Sequence, residues 1–435
     1  MKYAVKVSEI INAFSPAPLK TDQMDEFYCN NTMEYRTSDK YSSPIEDIFD
    51  SCQTQEEGNA FLLLGHRGCG KSTELNKMSE RLIEKGYHVK TVNCGMDLDL
   101  LNIVYSDLFI IMGEALLKIA EEAGCKIQNN ILDNIMNFWN DGIEIATCQE
   151  TAAASAETGI SAKTTGILAN ILNIFANIKT DLKFNEEVRK EYRKKISIRS
   201  SEWIGILGHV SDEIARQTGG KYPVIIFEDL DKLNPEDAWT LFYNYVTILS
   251  GMKFPVIYTF PIALSYDTRF SAMESYFTTK TLPMIKIKTI EDEPFQDGIN
   301  IICKIVEKRA DLELFETNVL KKLVQDTGGS LRDLFHVINS SAKRAVRRNS
   351  ETISMEDAEH ALEELKTSLT RRIEEKDYEF LLNIYNGNKE RIADKEMLLK
   401  MLQASVVLEY NGKRWHNLHP LVTKFLIDQG LVTYD

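Results

Sequence analysis

The chain has 435 residues, enough for two or three cores rather than one. Hydrophobic residues make up 43% and charged residues 27%, the balance of a folded globular protein rather than a disordered one. With 51 basic and 65 acidic side chains the formal charge is −14, which argues against a general nucleic-acid coat or a membrane-surface binder.

Seven cysteines (Cys29, Cys52, Cys69, Cys94, Cys125, Cys148 and Cys303) are scattered and form no CxxC pair. The odd count and loose spacing predict free thiols in a reducing cytoplasm, with neither a disulfide framework nor a zinc site. The opening MKYAVKVSEIINAF lacks the long apolar region of a signal peptide. The most apolar stretch, Gly166 to Ile178, is interrupted by Asn170, Asn173 and Asn177. A bilayer span takes about 20 apolar residues, so no membrane partner is expected.

In chain order, residues 1–57 are a polar and aromatic segment with Pro16, Pro18 and Pro44, ending in a short helix over Glu46 to Cys52. Phe61 to Leu64 is an apolar strand run that meets a glycine-rich turn. Thr73 to Lys85 carries Leu75, Met78 and Leu82 at helical spacing, and Gly86 ends it. His88 to Asn93 alternates as a strand, which completes a strand–loop–helix–strand unit of an α/β fold. Residues 98–140 are expected to be helical. Residues 145–199 change in composition and are read as an insertion, either a helical hairpin packed on the core or, through Ile167 to Ile178, a partner contact. Trp203 to Gln217 resumes an amphipathic helix.

Val224 to Phe227 is a buried-strand pattern, followed by a helix over Asp237 to Leu249 and strands at Pro255 to Thr259 and Leu282 to Ile287. Beyond residue 293 the strand signals stop. Helices are expected near 293–311, 315–326, 330–348 and 355–367. The tail stays helical to Leu402 and then forms a hairpin, Val406 to Tyr410 and Lys413 to Asn417, around Asn411-Gly412, a pair suited to a type I′ turn. The resulting organisation is an N-terminal segment (1–57), an α/β core (58–292), a helical lid (293–369) and a winged helix (370–435).

The chemistry concentrates at Gly65-His66-Arg67-Gly68-Cys69-Gly70-Lys71-Ser72, a full G-x-x-x-x-G-K-S with Thr73 behind it. Glycines let the backbone curl its N–H groups around phosphates, and the helix that follows adds its positive end. Lys71 is then expected on the β- and γ-phosphates and the Ser72 hydroxyl on Mg²⁺. Such a loop needs carboxylates at the end of a separate strand, one for the metal and one for the attacking water. Glu228 and Asp229 fill these places; a strict register gives the metal to Glu228, and a shift of one residue gives it to Asp229. Asp231 is either a third acid of the site or a helix cap. Thr259, ending the next strand, is placed to contribute a polar group between the γ-phosphate and the acids. In Thr327-Gly328-Gly329-Ser330-Leu331-Arg332, Ser330 is a candidate N-cap and Arg332 is placed to meet the γ-phosphate from the lid. Trp415, His416, His419 and Pro420 follow the hairpin. They are read first as packing of an aromatic wing edge, and second as a sensor built on His419.

In this order the motifs resemble those of AAA+/STAND P-loop ATPases, near the branch of archaeal origin-recognition ATPases. They are also similar to a set of bacterial ATPases with a Gly-His-Arg-Gly-x-Gly-Lys-Ser-Thr-Glu-Leu loop, here Gly65 to Leu75. The resemblance covers residues 58–145 and 200–435. It implies a sheet of the additional-strand (ASCE) P-loop class, Walker A at Gly65 to Ser72, Walker B at Glu228 and Asp229, sensor 1 at Thr259 and sensor 2 at Arg332. It also implies ATP and Mg²⁺ as ligands, and an ATP-driven switch that controls an assembly or a protein partner, in a bacterial defence or stress setting. Glu228 stands where relatives usually carry Asp, which points to slow hydrolysis. Arg269 and Arg309 are the arginine-finger candidates. The alternative is a DNA-bound ATPase of the origin-recognition or transposition-helper kind, drawing on Lys343, Arg344, Arg347, Arg348, Lys413 and Arg414.

Overall fold

The computed structural model describes residues 1–30, 32–37, 42–54, 60–140, 166–410 and 414–432. The Asn411-Gly412 turn and Lys413 lie outside them, as do Cys148 and the first part of the expected insertion.

Five parallel strands form the central sheet: β1 (Ala60–Gly65), β2 (Val89–Asn93), β3 (Val224–Glu228), β4 (Val256–Pro261) and β5 (Thr278–Thr281), in the spatial order β2-β3-β4-β1-β5. The inner strands β1, β3 and β4 are continuous apolar runs because both faces of a parallel sheet are covered. Their side chains alternate between two cores. Leu62, Leu64, Ile225, Phe227 and Tyr258 face one, and Phe61, Leu63, Val224, Ile226 and Ile257 face the other.

The fifth strand is not where the apolar pattern placed it. β5 is the short polar run Thr278–Thr281 at the sheet edge, paired with β1 from Phe61↔Thr278 to Leu64↔Thr281. Residues 282–287 form the link to the lid, and Leu282, Met284, Ile285 and Ile287 are buried between other units rather than in a ladder. The single helix expected over Asp237 to Leu249 is two, Pro235–Phe242 and Val246–Ser250.

Helix Tyr105–Glu122 is buried around most of its circumference, held between β2 and the helices Ile167–Phe184, Glu186–Ile198 and Ser200–Gln217. Trp203 lies at this junction. Its ring centroid is 4.8 Å from Phe138, 5.2 Å from Trp139 and 6.0 Å from Phe175, and its indole N–H donates to Phe109 O at 3.0 Å. Within the described part of the expected insertion, Ile171, Phe175, Ile178 and Leu182 turn into the core, while Ile167 is exposed.

The second large core holds helices Gln296–Glu307, Val319–Asp326, Leu331–Arg347 and Met355–Thr370. Helix Val7–Ala13 packs against them and not against the sheet, with Phe14 edge-on to Phe335. The C-terminal unit has helices Tyr378–Tyr385 and Lys395–Gln403, then the antiparallel pair β6 (Val407–Tyr410) and β7 (Trp415–Leu418), then helix Pro420–Asp428. No helix of the described residues is long and apolar enough to cross a membrane.

Trp203→Ala should lower stability by about 3–5 kcal/mol, the range for emptying a buried aromatic site. Urea unfolding of the full chain measures this, and a loss below about 1 kcal/mol would show that the helical layer is peripheral to the core.

Candidate functional site

The G-x-x-x-x-G-K-S sequence leaves the C-terminal edge of the sheet at Gly65 and enters the helix Lys71–Glu84, two residues earlier than the apolar spacing suggested. Lys71 and Ser72 thus sit in the first helical turn, where unpaired N–H groups and the helix dipole favour anions. Gly68 and Gly70 have φ of 88° and 102°, a region that glycine enters without strain. Gly68 is further constrained from outside, since a Cβ there would fall 2.6 Å from the Cβ of Arg332.

Lys71 is folded back into the loop. Its Nζ donates to Gly65 O (2.7 Å) and His66 O (3.0 Å) and pairs with Asp231 at 2.9 Å. Burial opposes the charge on both partners. Their mutual attraction overcomes it, holding Lys71 above its ordinary pKa and Asp231 below its own. Asp231 thus lines the cleft as the counter-ion of the loop lysine.

Glu228 ends β3 and is buried beside the loop. Burial pushes its pKa up to about 7, the Asp229 and Asp231 charges add to this, and a hydrogen bond with Ser72 opposes it. Its Oε1 has no hydrogen-bond partner among the described residues. A buried, unpaired carboxylate oxygen next to a serine hydroxyl is the donor set of a hard cation such as Mg²⁺. Asp229 turns the other way. Its backbone is left-handed (φ 71°), its carboxylate pairs with Lys232 at 2.5 Å, and a Cβ on Gly95 would fall 2.6 Å from its Oδ2. Arg67 crosses from the loop to donate to Lys232 O at 3.0 Å.

Thr259 does not open onto the cleft as expected. Its hydroxyl donates to Phe227 O (3.3 Å) and accepts from Leu230 N–H (3.1 Å), which pins the turn carrying the acids. Ser330 caps the helix Leu331–Arg347 by accepting from Asp333 N–H at 3.3 Å. Leu331 N–H donates to Gly68 O at 3.1 Å, which brings Arg332 onto the cleft wall. Arg269 is paired with Asp267 at 2.6 Å and lies over Trp239. Arg309 is buried over Phe335 on the wall of its own chain's cleft.

The C-terminal hairpin also touches the loop. His66, 1% exposed, accepts a hydrogen bond from Glu409 N–H at 2.8 Å through Nε2. Burial and the Lys71 charge lower its pKa to about 3, so the ring is neutral. His416 is held by Tyr266 and Lys389 O. His419 is fully buried, with its Nε2 3.9 Å from Asp333 Oδ2; burial lowers its pKa, and the Asp333 and Asp326 charges oppose this.

The outer wall comes from the N-terminal segment, to which sequence reasoning gave no role. Ser15 to Leu19, Tyr28, Thr32 and Arg36 line the same cleft of about 900 Å³ as Gly68, Lys71, Ser72, Glu228, Asp229 and Arg332. The anchor is Glu74, buried in the first turn of the loop helix, which accepts from Tyr28 OH (2.8 Å) and Thr32 OH (3.1 Å). A carboxylate on the apolar face of the helix, beside Leu75 and Met78, was the available signal that donors must come from elsewhere in the chain.

The strand order β2-β3-β4-β1-β5, a G-x-x-x-x-G-K-S loop after β1, and acids at the end of β3 with β4 in between define a P-loop NTPase fold of the additional-strand, AAA+ type. No family model and no curated protein sequence matches the chain. Among solved structures it is similar to the Walker-type ATPase PABY2304 of Pyrococcus abyssi, at 13% identity and TM-score 0.46 over 95% of this chain and 99% of that one. It is also similar to Cdc6p of Pyrobaculum aerophilum, at 13% identity and TM-score 0.39 over 99% and 100%. A third is the ORC2 protein of Aeropyrum pernix in its ADPNP–ADP complexes, at 11% identity and TM-score 0.40 over 97% and 98%. Likenesses at this level carry no argument about activity, and the fold class rests on the strand order and the loop themselves.

Asp231→Asn strands the buried Lys71 charge and should cost the nucleotide-free protein about 3 kcal/mol. Urea unfolding at neutral pH reads the loss; a change below about 1 kcal/mol would show that Asp231 is not the main counter-ion. Because Asp231 is held below its ordinary pKa, the pair's contribution is present at neutral pH and lost as pH falls through that lowered value.

Proposed function

We propose that the chain is an ATP-binding and slowly hydrolysing switch of the AAA+/STAND kind, in which occupancy of the phosphate loop controls a protein partner or self-assembly. The observation that carries this reading is the convergence on one cleft of the loop lysine, the β3 acids and the lid arginine, with the C-terminal hairpin fastened to the loop from behind. A metabolic phosphotransferase has no use for a hairpin tied to its phosphate loop.

In this reading the N–H groups of Gly68 to Thr73 and the Lys71 ammonium hold the phosphates, and Arg332 meets the γ-phosphate from the lid. Ser72 and Glu228 would hold Mg²⁺, which supplies charge neutralisation on the β- and γ-phosphate oxygens. Asp229 is then the carboxylate left to take the proton of the attacking water. Its carboxylate must first leave Lys232, which accords with slow turnover. Apolar walls at Pro16, Pro18 and Leu19, with Tyr28, suit the faces of a flat base; adenine is the base the motif resemblance implies. The unit formed by helices Tyr378–Tyr385 and Lys395–Gln403, the β6–β7 hairpin and helix Pro420–Asp428 is read as a winged helix that contacts protein. The DNA-bound alternative is weakened by Arg344 and Arg348, whose guanidinium groups are engaged by Glu356 and Asp357 inside the lid.

Lys71→Ala should abolish ATP binding in isothermal calorimetry, and wild-type affinity in that variant would refute the site. Asp229→Asn should retain Mg²⁺-dependent binding and lose turnover by about 10²–10⁴-fold, the usual worth of a general base. Glu228→Gln should instead lose the Mg²⁺ dependence of binding. The opposite pattern in the two variants would exchange the roles of the acids.

A further inference from the structure

We propose that His66 is the joint through which the C-terminal hairpin reads the state of the phosphate loop. The second residue of the loop makes two bonds of different kinds. Its backbone carbonyl accepts from Lys71 Nζ at 3.0 Å, and its side-chain Nε2 accepts from Glu409 N–H at 2.8 Å. One short residue therefore lies between the phosphate-seeking ammonium and the edge of β6.

The hairpin is built to present that donor. In the β6–β7 register Glu409 faces His416, and the amides of both point outward from the pair. His416 N–H donates to Lys389 O at 2.8 Å, and Glu409 N–H has His66 as its acceptor. With the imidazole 1% exposed, loss of this contact leaves a buried amide without a partner, a costly state that favours movement of the strand. Neighbouring contacts make such movement concerted: Tyr410 OH donates to Gly328 O at 2.7 Å, just before the lid helix, and Tyr266 OH donates to Glu409 Oε2 at 2.7 Å.

The coupling follows from the position of Lys71. While the ammonium is folded back onto Gly65 O, His66 O and Asp231, it fixes the His66 peptide. When it turns to phosphate oxygens, the His66 carbonyl keeps only the longer bond from Cys69 N–H at 3.3 Å, and the peptide is held less firmly. The side chain then carries that change to β6. His66 is a positioning residue in this scheme, since it acts on the hairpin and need not touch the reacting atoms. The inference rests on the nucleotide reading above.

Hydrogen–deuterium exchange at the Glu409 amide, read at residue resolution by fragmentation, tests it on the full chain. Adding Mg²⁺ and a non-hydrolysable ATP analogue should raise exchange there by about fivefold or more, the shift that one buried hydrogen bond of roughly 1 kcal/mol supports. In His66→Ala the amide should exchange fast with and without the analogue, and in His66→Gln, which returns an acceptor, the difference should reappear. Calorimetry on the same samples separates the failures. If the wild-type chain binds the analogue and the Glu409 amide does not respond, the joint is refuted and the nucleotide reading stands. If His66→Ala responds as the wild type does, the joint is likewise refuted. If the wild-type chain binds no analogue, both readings fall. Should His66→Ala not fold, the wild-type and His66→Gln responses decide the matter.

Discussion

A lysine ammonium closed inside a protein must find an anion, and much of this molecule is arranged around how Lys71 finds one. In the structure its partner is Asp231, with two loop carbonyls completing the shell. The pair is stable because each charge offsets the desolvation of the other, yet such a pair contributes little beyond that balance. A triphosphate offers the same ammonium several oxygens and more charge. The arrangement is thus poised for exchange: what stabilises the empty loop is also what phosphate must displace.

Four parts of the chain converge on this exchange. The sheet supplies the loop after β1 and the acids after β3 at the same edge. The lid touches the loop through Leu331 N–H on Gly68 O, close enough that a side chain at Gly68 would strike Arg332. The N-terminal segment closes the outside through Tyr28 and Thr32 on Glu74. The hairpin holds the back of the loop through Glu409 on His66. Hydrogen bonds tie three of these to the loop and its helix, which is the physical ground for reading a switch rather than a simple hydrolase.

The phosphate loop and the inner strands were legible because their signals are local. An apolar run buried on both faces, a glycine spacing and a following helix each occupy a few adjacent residues. The acids at Glu228 and Asp229 were legible as a pair but not in their orientations. These depend on the left-handed backbone at Asp229, which turns its carboxylate toward Gly95 and leaves Glu228 beside Ser72. Thr259 ends the expected strand, yet its hydroxyl is taken up by Phe227 and Leu230, a choice made by the register of neighbouring strands. Residues 282–287 read as a strand because they are apolar, whereas Leu282 and Met284 are buried between sheet and hairpin and Ile285 and Ile287 in the lid core, while the polar Thr278–Thr281 pairs with β1. The role of the N-terminal segment in the cleft was hidden for the same reason: Tyr28 and Thr32 meet Glu74 only across 46 and 42 residues of chain.

A crystal structure with a non-hydrolysable ATP analogue and Mg²⁺ tests the exchange at Lys71 most directly. The expected result is Lys71 Nζ within hydrogen-bonding distance of the β- and γ-phosphate oxygens, its contact with Asp231 broken, and Glu228 facing the metal. A triphosphate bound elsewhere, or bound in the cleft with the Lys71–Asp231 pair intact, would contradict it.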